Sequence, residues 1–201
     1  MMDTLAYIMN RYGVGEGTPP YNLGRVRGSF ASLLRDLEFK TGAEIGVDVG
    51  GNSAHLLDTI PGLKLLSVDS WTRYMGHRRH RQSMYDHKYK IAKENLAPYP
   101  NSTVIRGYSV DVAKTIPDES LDFVFIDAGH DFLNVTTDIA SWSPKVRKGG
   151  MVSGHDYTYH IPAQRCDVVY VVKAWTEAWK IPHWFVVERM SDKKAIWFWV
   201  K

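Results

Sequence analysis

The stretch Gly42-Ala43-Glu44-Ile45-Gly46-Val47-Asp48-Val49-Gly50-Gly51-Asn52-Ser53 restricts the fold of this chain more than any other. An apolar run suited to a buried strand opens into a glycine-punctuated turn, and Ala54, Leu56 and Leu57 then begin a helix. Residues without a side chain let backbone amides approach a ligand closely while the chain turns sharply. The first amides of the following helix point outward without partners and favour negative charge. Strand, glycine turn and helix in that order form a cradle of the kind that holds nucleotide-type ligands.

The rest of the chain repeats the same alternation. The first strand covers about Ala43 to Val49, and its helix runs to Ile60, where Pro61-Gly62 stops it. Leu63 to Val68 reads as a second strand ending in Asp69, and Ser83 to Ala97 as a helix closed by Pro98. A short strand over Thr103 to Arg106 and a brief helix over Val110 to Ile116 follow. Then come a strand from Leu121 to Ile126 ending in Asp127, a helix from Phe132 to Trp142, and a strand over Met151 to Ser153. A helix over Val168 to Trp179 precedes two final strands, Trp184 to Glu188 and Ala195 to Val200. Ahead of all this, Leu23 to Phe39 is expected to be an amphipathic helix with Phe30, Leu33, Leu34 and Leu37 on one face.

Strands alternating with helices imply an α/β fold whose mostly parallel sheet is covered on both faces. The last connection, Ser191-Asp192-Lys193-Lys194, is too short for a parallel crossover, so the final strand is expected to run antiparallel to its neighbour. Ligands in such sheets lie beyond the carboxyl ends of the strands. Asp69, Asp127 and Asp156 each follow an apolar strand, which places three carboxylates on that one edge.

Composition narrows the class further. With 201 residues, the chain is expected to form a single domain over 1–201, with 1–39 as an N-terminal helical lid or dimer element. No apolar run reaches the ~20 residues that span a bilayer. The start, Met1-Met2-Asp3-Thr4, lacks a signal-peptide pattern, and the lone Cys166 suits a reducing compartment. A soluble cytoplasmic protein is expected. The formal charge of +3 is too small to argue for nucleic acid by itself.

Asp69 lies about twenty residues past the glycine turn, the spacing at which an acid at the next strand end accepts the hydroxyls of a ribose. That does not separate a dinucleotide from S-adenosylmethionine, since both carry adenosine. Glycines spaced as Glu-x-Gly-x-x-x-Gly and a carboxylate, Glu44, available for an ammonium group favour the latter. At this point the chain resembles the class I S-adenosylmethionine-dependent methyltransferases, close to the branch of cation-dependent small-molecule and sugar O-methyltransferases. The resemblance rests on Ala43-Glu44-Ile45-Gly46-Val47, Val68-Asp69-Ser70-Trp71, Ile105-Arg106-Gly107-Tyr108-Ser109, Phe125-Ile126-Asp127-Ala128-Gly129-His130, and Lys148-Gly149-Gly150 through Gly154-His155-Asp156-Tyr157. It implies a Rossmann-like seven-stranded sheet in the order 3-2-1-4-5-7-6, with strand 7 antiparallel. It also implies that Glu44, Gly46, Gly50, Asn52 and Ser53 line the methionine end of the cofactor, that Asp69 and Ser70 lie at the ribose, that Ser109 is beside the adenine, and that Asp127 borders the sulfonium.

Methyl transfer to a hydroxyl needs positioning and loss of the hydroxyl proton. The resemblance implies His130 as the base that removes this proton, with Asp127 and His155 as further catalytic candidates. It also implies Asp127, His155 and Asp156 as ligands of a divalent cation, magnesium or manganese. An imidazole at position 155 is a poor magnesium ligand and points instead to manganese, iron or zinc, or to a catalytic role.

On the substrate side, Arg73, His77, Arg78, Arg79, His80, Arg81, His87 and Lys88 cluster with Tyr74 and Tyr85 after the cofactor acid. Clustered guanidiniums suit an anionic or sugar-phosphate small molecule, and a solvated loop is the bland alternative. Trp197 and Trp199 alternate with Phe198 on the last strand, so a partner subunit covering one face, and hence a homodimer, is expected. Other readings are a nucleic-acid methyltransferase, disfavoured because Ile126-Asp127-Ala128-Gly129 replaces an amino-methylating motif, a binding protein without turnover, and a nicotinamide-dependent dehydrogenase.

Overall fold

A computed structural model describes residues 3–25, 29–73, 81–159, 165–188 and 195–201. Half of the residues of the basic segment expected to meet substrate (Tyr74, His77, Arg78, Arg79, His80) and the closing turn Ser191–Lys194 lie outside the described residues.

Among the described residues, eight strands form one sheet. In chain order they are β1 (Tyr21–Arg25), β2 (Thr41–Ile45), β3 (Lys64–Asp69), β4 (Ser102–Arg106), β5 (Leu121–Ile126), β6 (Val146–Tyr157), β7 (Trp184–Glu188) and β8 (Ala195–Val200). Across the sheet they run β1-β7-β8-β6-β5-β2-β3-β4. The seven expected strands keep the expected order, and β8 is antiparallel to both β6 and β7. The count needs correction: β1 adds an eighth strand, parallel to β7 at the sheet edge. It occupies part of the run read as a helix from Leu23, and α2 (Phe30–Asp36) begins only where Ser29 caps it through the amide of Ser32. An added helix, α1 (Thr4–Tyr12), is capped in the same way by Asp3.

Strand β6 is also longer than expected, so Asp156 sits inside it rather than after it, at a positive φ of 54°. Pairing with β8 shifts register between Gly154 and Tyr157, which lets the strand turn its two acidic-edge residues toward β5.

The sheet separates two apolar cores. One gathers Val124, Ile126, Val152, Trp197 and Trp199 under α6 (Phe132–Trp142) and α7 (Val168–Ala178). The other gathers Phe123, Phe125, Phe185 and Phe198 with Ile8 of α1 and Leu33 and Leu34 of α2. Trp197, Phe198 and Trp199 are all buried by the chain itself, which corrects the expectation that a partner would cover one of their faces. The remaining helices are α3 (Gly51–Thr59), α4 (Gln82–Leu96) and α5 (Ser109–Ala113). No described helix is long and apolar enough to cross a membrane.

Candidate active site

The strand order reverses between β2 and β5, and the glycine turn lies at that crevice. Gly46 has φ of 92°, and a Cβ there would stand 2.0 Å from the carbonyl oxygen of Asp127. Close approach of two backbones explains this glycine. Gly50, at φ of 84°, is the N-cap of α3 and supplies no side-chain cap, so the helix opens with bare amides.

Glu44 lies at the carboxyl end of β2 and is 2% exposed. Its carboxylate accepts from Asn52 Nδ2 at 3.0 Å and from the Ser53 hydroxyl. Burial pushes its pKa up to about 7; the bonds from Ser53 and Asn52 resist this, and the nearby charges of Asp127 and Asp69 add to it. Glu44, Asp69 and Asp127 thus converge with a surplus of negative charge.

Asp69 is heavily occupied by the protein. Its Oδ2 accepts from the amides of Val47 and Asp48, each at 3.0 Å, and its Oδ1 from the amide of Trp71 at 2.8 Å. A carboxylate offers about four lone-pair positions, so roughly one is left for a ribose hydroxyl. The carboxylate therefore clamps the glycine turn. The buried Trp71 reinforces the clamp through Nε1 to the carbonyl of Asp48 at 2.7 Å, as does Asn95 of α4 to that of Val49 at 2.9 Å. Ser70 faces its own loop, its Oγ accepting from the amide of Thr72 at 3.2 Å. Ser109 opens α5 and accepts from Trp142 Nε1 at 2.8 Å.

Beside this cleft, two aspartates and two histidines close a ring. His130 Nε2 lies 2.7 Å from Asp156 Oδ2 and 3.6 Å from Asp127 Oδ1. His155 Nδ1 lies 3.3 Å from Asp156 Oδ1 and 3.4 Å from Asp127 Oδ2. Burial alone would lower the pKa of His130, but the bonds to Asp127 and Asp156 outweigh it and raise it to about 9. Burial would likewise raise that of Asp127, and His130 and His155 overcome it and hold it well below the ordinary carboxylate range. The carbonyl of His130 accepts from the amide of Asp167 at 2.7 Å, tying this loop to the start of α7.

One atom each from Asp127, His130 and Asp156 come within 4.8 Å of one another, a spacing that fits a metal ion. Two carboxylates and an imidazole suit manganese, iron or zinc better than magnesium. The structure thus brings together Asp127 and Asp156, as expected, but the third member of the group is His130 and not the expected His155.

A model of the family described as a methyltransferase domain matches residues 43–157, more than half of the chain. The chain belongs to this methyltransferase-domain family. Among solved structures, an O-methyltransferase from Bacillus cereus in complex with S-adenosylhomocysteine is 17% identical, with a TM-score of 0.61 over 100% of this chain and 92% of that one. TomG from Streptomyces achromogenes, an O-methyltransferase involved in tomaymycin synthesis and in complex with S-adenosylmethionine, is 15% identical, with a TM-score of 0.62 over 100% and 91%. At such identities the likeness is one of fold, that of the S-adenosylmethionine-dependent methyltransferases. No curated protein matches the sequence.

Two features of this methyltransferase escaped sequence reasoning. Three lone-pair positions of Asp69 serve the turn, which depends on how the loop folds back. Asp138, in the middle of α6, is 5% exposed. An isolated acid in an amphipathic helix reads as a surface residue, so its burial carried no signal.

Proposed function

We propose that this methyltransferase moves the methyl group of S-adenosylmethionine to a hydroxyl of a small molecule. The observation that carries the reading is the convergence of Glu44, Asp69 and Asp127 at the ends of adjacent strands, around a turn whose glycines and bare helix amides leave room for a ligand. S-adenosylmethionine supplies two positive charges, an ammonium and a sulfonium, and an electrophilic methyl group. Glu44 with Asn52 and Ser53 would hold the ammonium end, Asp69 and Ser70 the ribose, and Ser109 the base.

Asp127, Asp156 and the two histidines would hold a divalent cation, whose chemistry is to bind the acceptor oxygen and lower its pKa. The carboxylates of Asp127 and Asp156 raise the pKa of His130 to about 9 and favour its protonated form. A base role requires that it first lose that proton. Arg73 and Arg81, at the two ends of segment 74–80, support an anionic or sugar acceptor. The same reading makes 1–201 one working unit in the cytoplasm, with the N-terminal elements as its lid or dimer contact.

Calorimetry with S-adenosylhomocysteine, with and without magnesium or manganese, tests the cofactor and metal together. Saturable binding with a one-to-one stoichiometry is expected, followed by methyl release in a screen over sugars, catechols and nucleotides. Absence of binding under every metal condition would end the proposal.

A further inference from the structure

Asp167 takes no part in the scheme above, yet it meets the loop of His130 twice. Its amide donates to the carbonyl of His130 at 2.7 Å, and its Oδ2 accepts from the amide of Phe132 at 2.9 Å. Between those two residues lies Asp131, the N-cap of α6, so a residue of another element grips the loop on both sides of that cap. The loop carries Asp127 and His130, two of the three residues whose atoms converge within 4.8 Å. Next to Asp167, the buried Cys166 directs its Sγ to the carbonyls of Asp156 and Thr158, at 3.6 and 3.4 Å. The start of α7 therefore touches both sides of the centre, the loop after β5 and the end of β6.

The partner that Asp167 takes is informative. An aspartate at an N-cap ordinarily accepts from an amide in the first turn of its own helix and stabilises that helix. Asp167 is the N-cap of α7, and its side chain makes no such bond. Helix α6 does not lack a cap either, since Asp131 accepts from the amide of Asn134 at 3.2 Å. The carboxylate of Asp167 instead reaches across to the loop of His130, with Arg165 Nε as a second donor at 2.5 Å. That side chain is 15% exposed, so water competes weakly for the bond to Phe132.

Groups behind a metal ligand orient it, and their loss commonly weakens the metal. His130 is the nitrogen donor of the group, beside two carboxylates. Magnesium prefers oxygen donors and takes an imidazole poorly, whereas manganese accepts one more readily. Fixing His130 therefore affects the two ions unequally.

We propose that Asp167 is a positioning residue that fixes His130 as the nitrogen donor of the cation centre and so tilts that centre toward manganese over magnesium. The inference rests on the cation reading given above.

The test is calorimetric titration of the full chain with Mn2+ and with Mg2+. His130→Ala sets the full size of the manganese effect. In Asp167→Ala the Mn2+ affinity should fall at least about tenfold, while the Mg2+ affinity stays within about threefold. Asp167→Asn keeps an oxygen that accepts from the Phe132 amide and should hold Mn2+ within about threefold of the wild type. In a His130→Ala background, Asp167→Ala should cause no further loss, because it acts through His130. Phe132→Pro breaks the same bond from the other side, and it decides the question if Asp167→Ala does not fold. Position 132 is the first of α6, where proline is tolerated, and Asp131 already has the extended φ of −77° and ψ of 160° that proline demands of its predecessor. Unchanged Mn2+ affinity in the folded variants, equal loss for both ions, a full loss in the His130→Ala background, or a loss in Asp167→Asn as large as in Asp167→Ala overturns the proposal and leaves the cation reading intact. A wild type without saturable Mn2+ binding overturns the cation reading, and this proposal with it.

Discussion

Asp122 and Glu44 sit on neighbouring strands at opposite edges of the same sheet, and their surroundings are opposite too. Asp122 stands at the amino end of β5. Its Oδ2 accepts from the amides of Lys40 and Thr41 at 2.7 and 2.8 Å, and its Oδ1 from Arg147 Nε at 2.7 Å. Burial would raise its pKa, but these bonds prevail and lower it. Glu44 stands about 10 Å further along, at the carboxyl end of β2. It has hydroxyl and amide donors but no cation, and its pKa is raised. One edge satisfies its carboxylate within the chain, and the other keeps a carboxylate in need of a positive charge. Stability is invested at the first edge, and the proposed ligand recognition at the second.

The largest expected consequence is a pH dependence of the ligand-free protein. Glu44 has a native pKa raised from 4.5 to about 7, so between those values the folded state binds more protons than the unfolded one. Stability must then fall as pH rises through that window, by about 3 kcal/mol if the full shift is expressed. His130 adds the same sign at higher pH: its native pKa is raised to about 9, so its contribution is complete below 6.5 and is lost as pH climbs toward 9. Urea unfolding of the ligand-free protein should therefore show maximal stability near pH 5 and a steady decline to pH 9. Stability that rises between pH 5 and 7 would contradict the charge surplus at this edge.

Glu44→Gln removes the charge and keeps the shape. It should flatten the decline between pH 5 and 7 and raise the melting temperature at pH 8, because a buried unpaired charge is gone. The same change should weaken S-adenosylhomocysteine about 100-fold, since the ligand ammonium loses its counter-ion. A variant more stable and poorer at binding is the signature of a site; loss of both, or of neither, would erase the contrast with Asp122.

Asp122→Ala is the matching change at the other edge. It leaves the amides of Lys40 and Thr41 and the Arg147 guanidinium without their acceptor, and should destabilise by about 2 kcal/mol, or roughly 4–8 °C in melting temperature. Affinity for S-adenosylhomocysteine should stay within about twofold, because the defect lies a sheet's length from the ligand edge. Calorimetric melts and titrations on the same sample read both quantities.

The ligand edge was far more legible in the sequence than its wiring. The alternation of strands and helices and the short closing connection gave a mostly parallel sheet with an antiparallel last strand, whereas the order of β2 to β8 was implied by the family resemblance. Strand β1 was hidden because its five residues carry only two apolar side chains, Tyr21 and Leu23, and its pairing with β7 is itself irregular. Glu44, Asp127 and Asp156 could be placed from their positions at strand ends. What escaped was how the carboxylates are placed: His130 lies between Asp127 and Asp156, Asp138 is buried within α6, and Asp69 is turned onto its own loop. Those facts depend on side-chain direction after folding, and no spacing encodes it.

Asp69 allows the mildest test, because it belongs to both edges' logic at once: backbone amides satisfy it, three here against two at Asp122, yet it stands at the same edge as Glu44. In Asp69→Asn one oxygen can still accept, but the other position becomes a donor set against a backbone N–H. The turn over Gly46 to Gly50 should loosen, with S-adenosylhomocysteine weakened about tenfold, or about 1.4 kcal/mol. Pairing the variant with the 2′-deoxy form of the ligand separates the two roles. If Asp69 acts only as a clamp, removing the hydroxyl weakens wild type and variant by the same factor. If its last lone pair also holds the ribose, the deoxy penalty seen in the wild type disappears in the variant, and Asp69 then works on the ligand as well as on the loop.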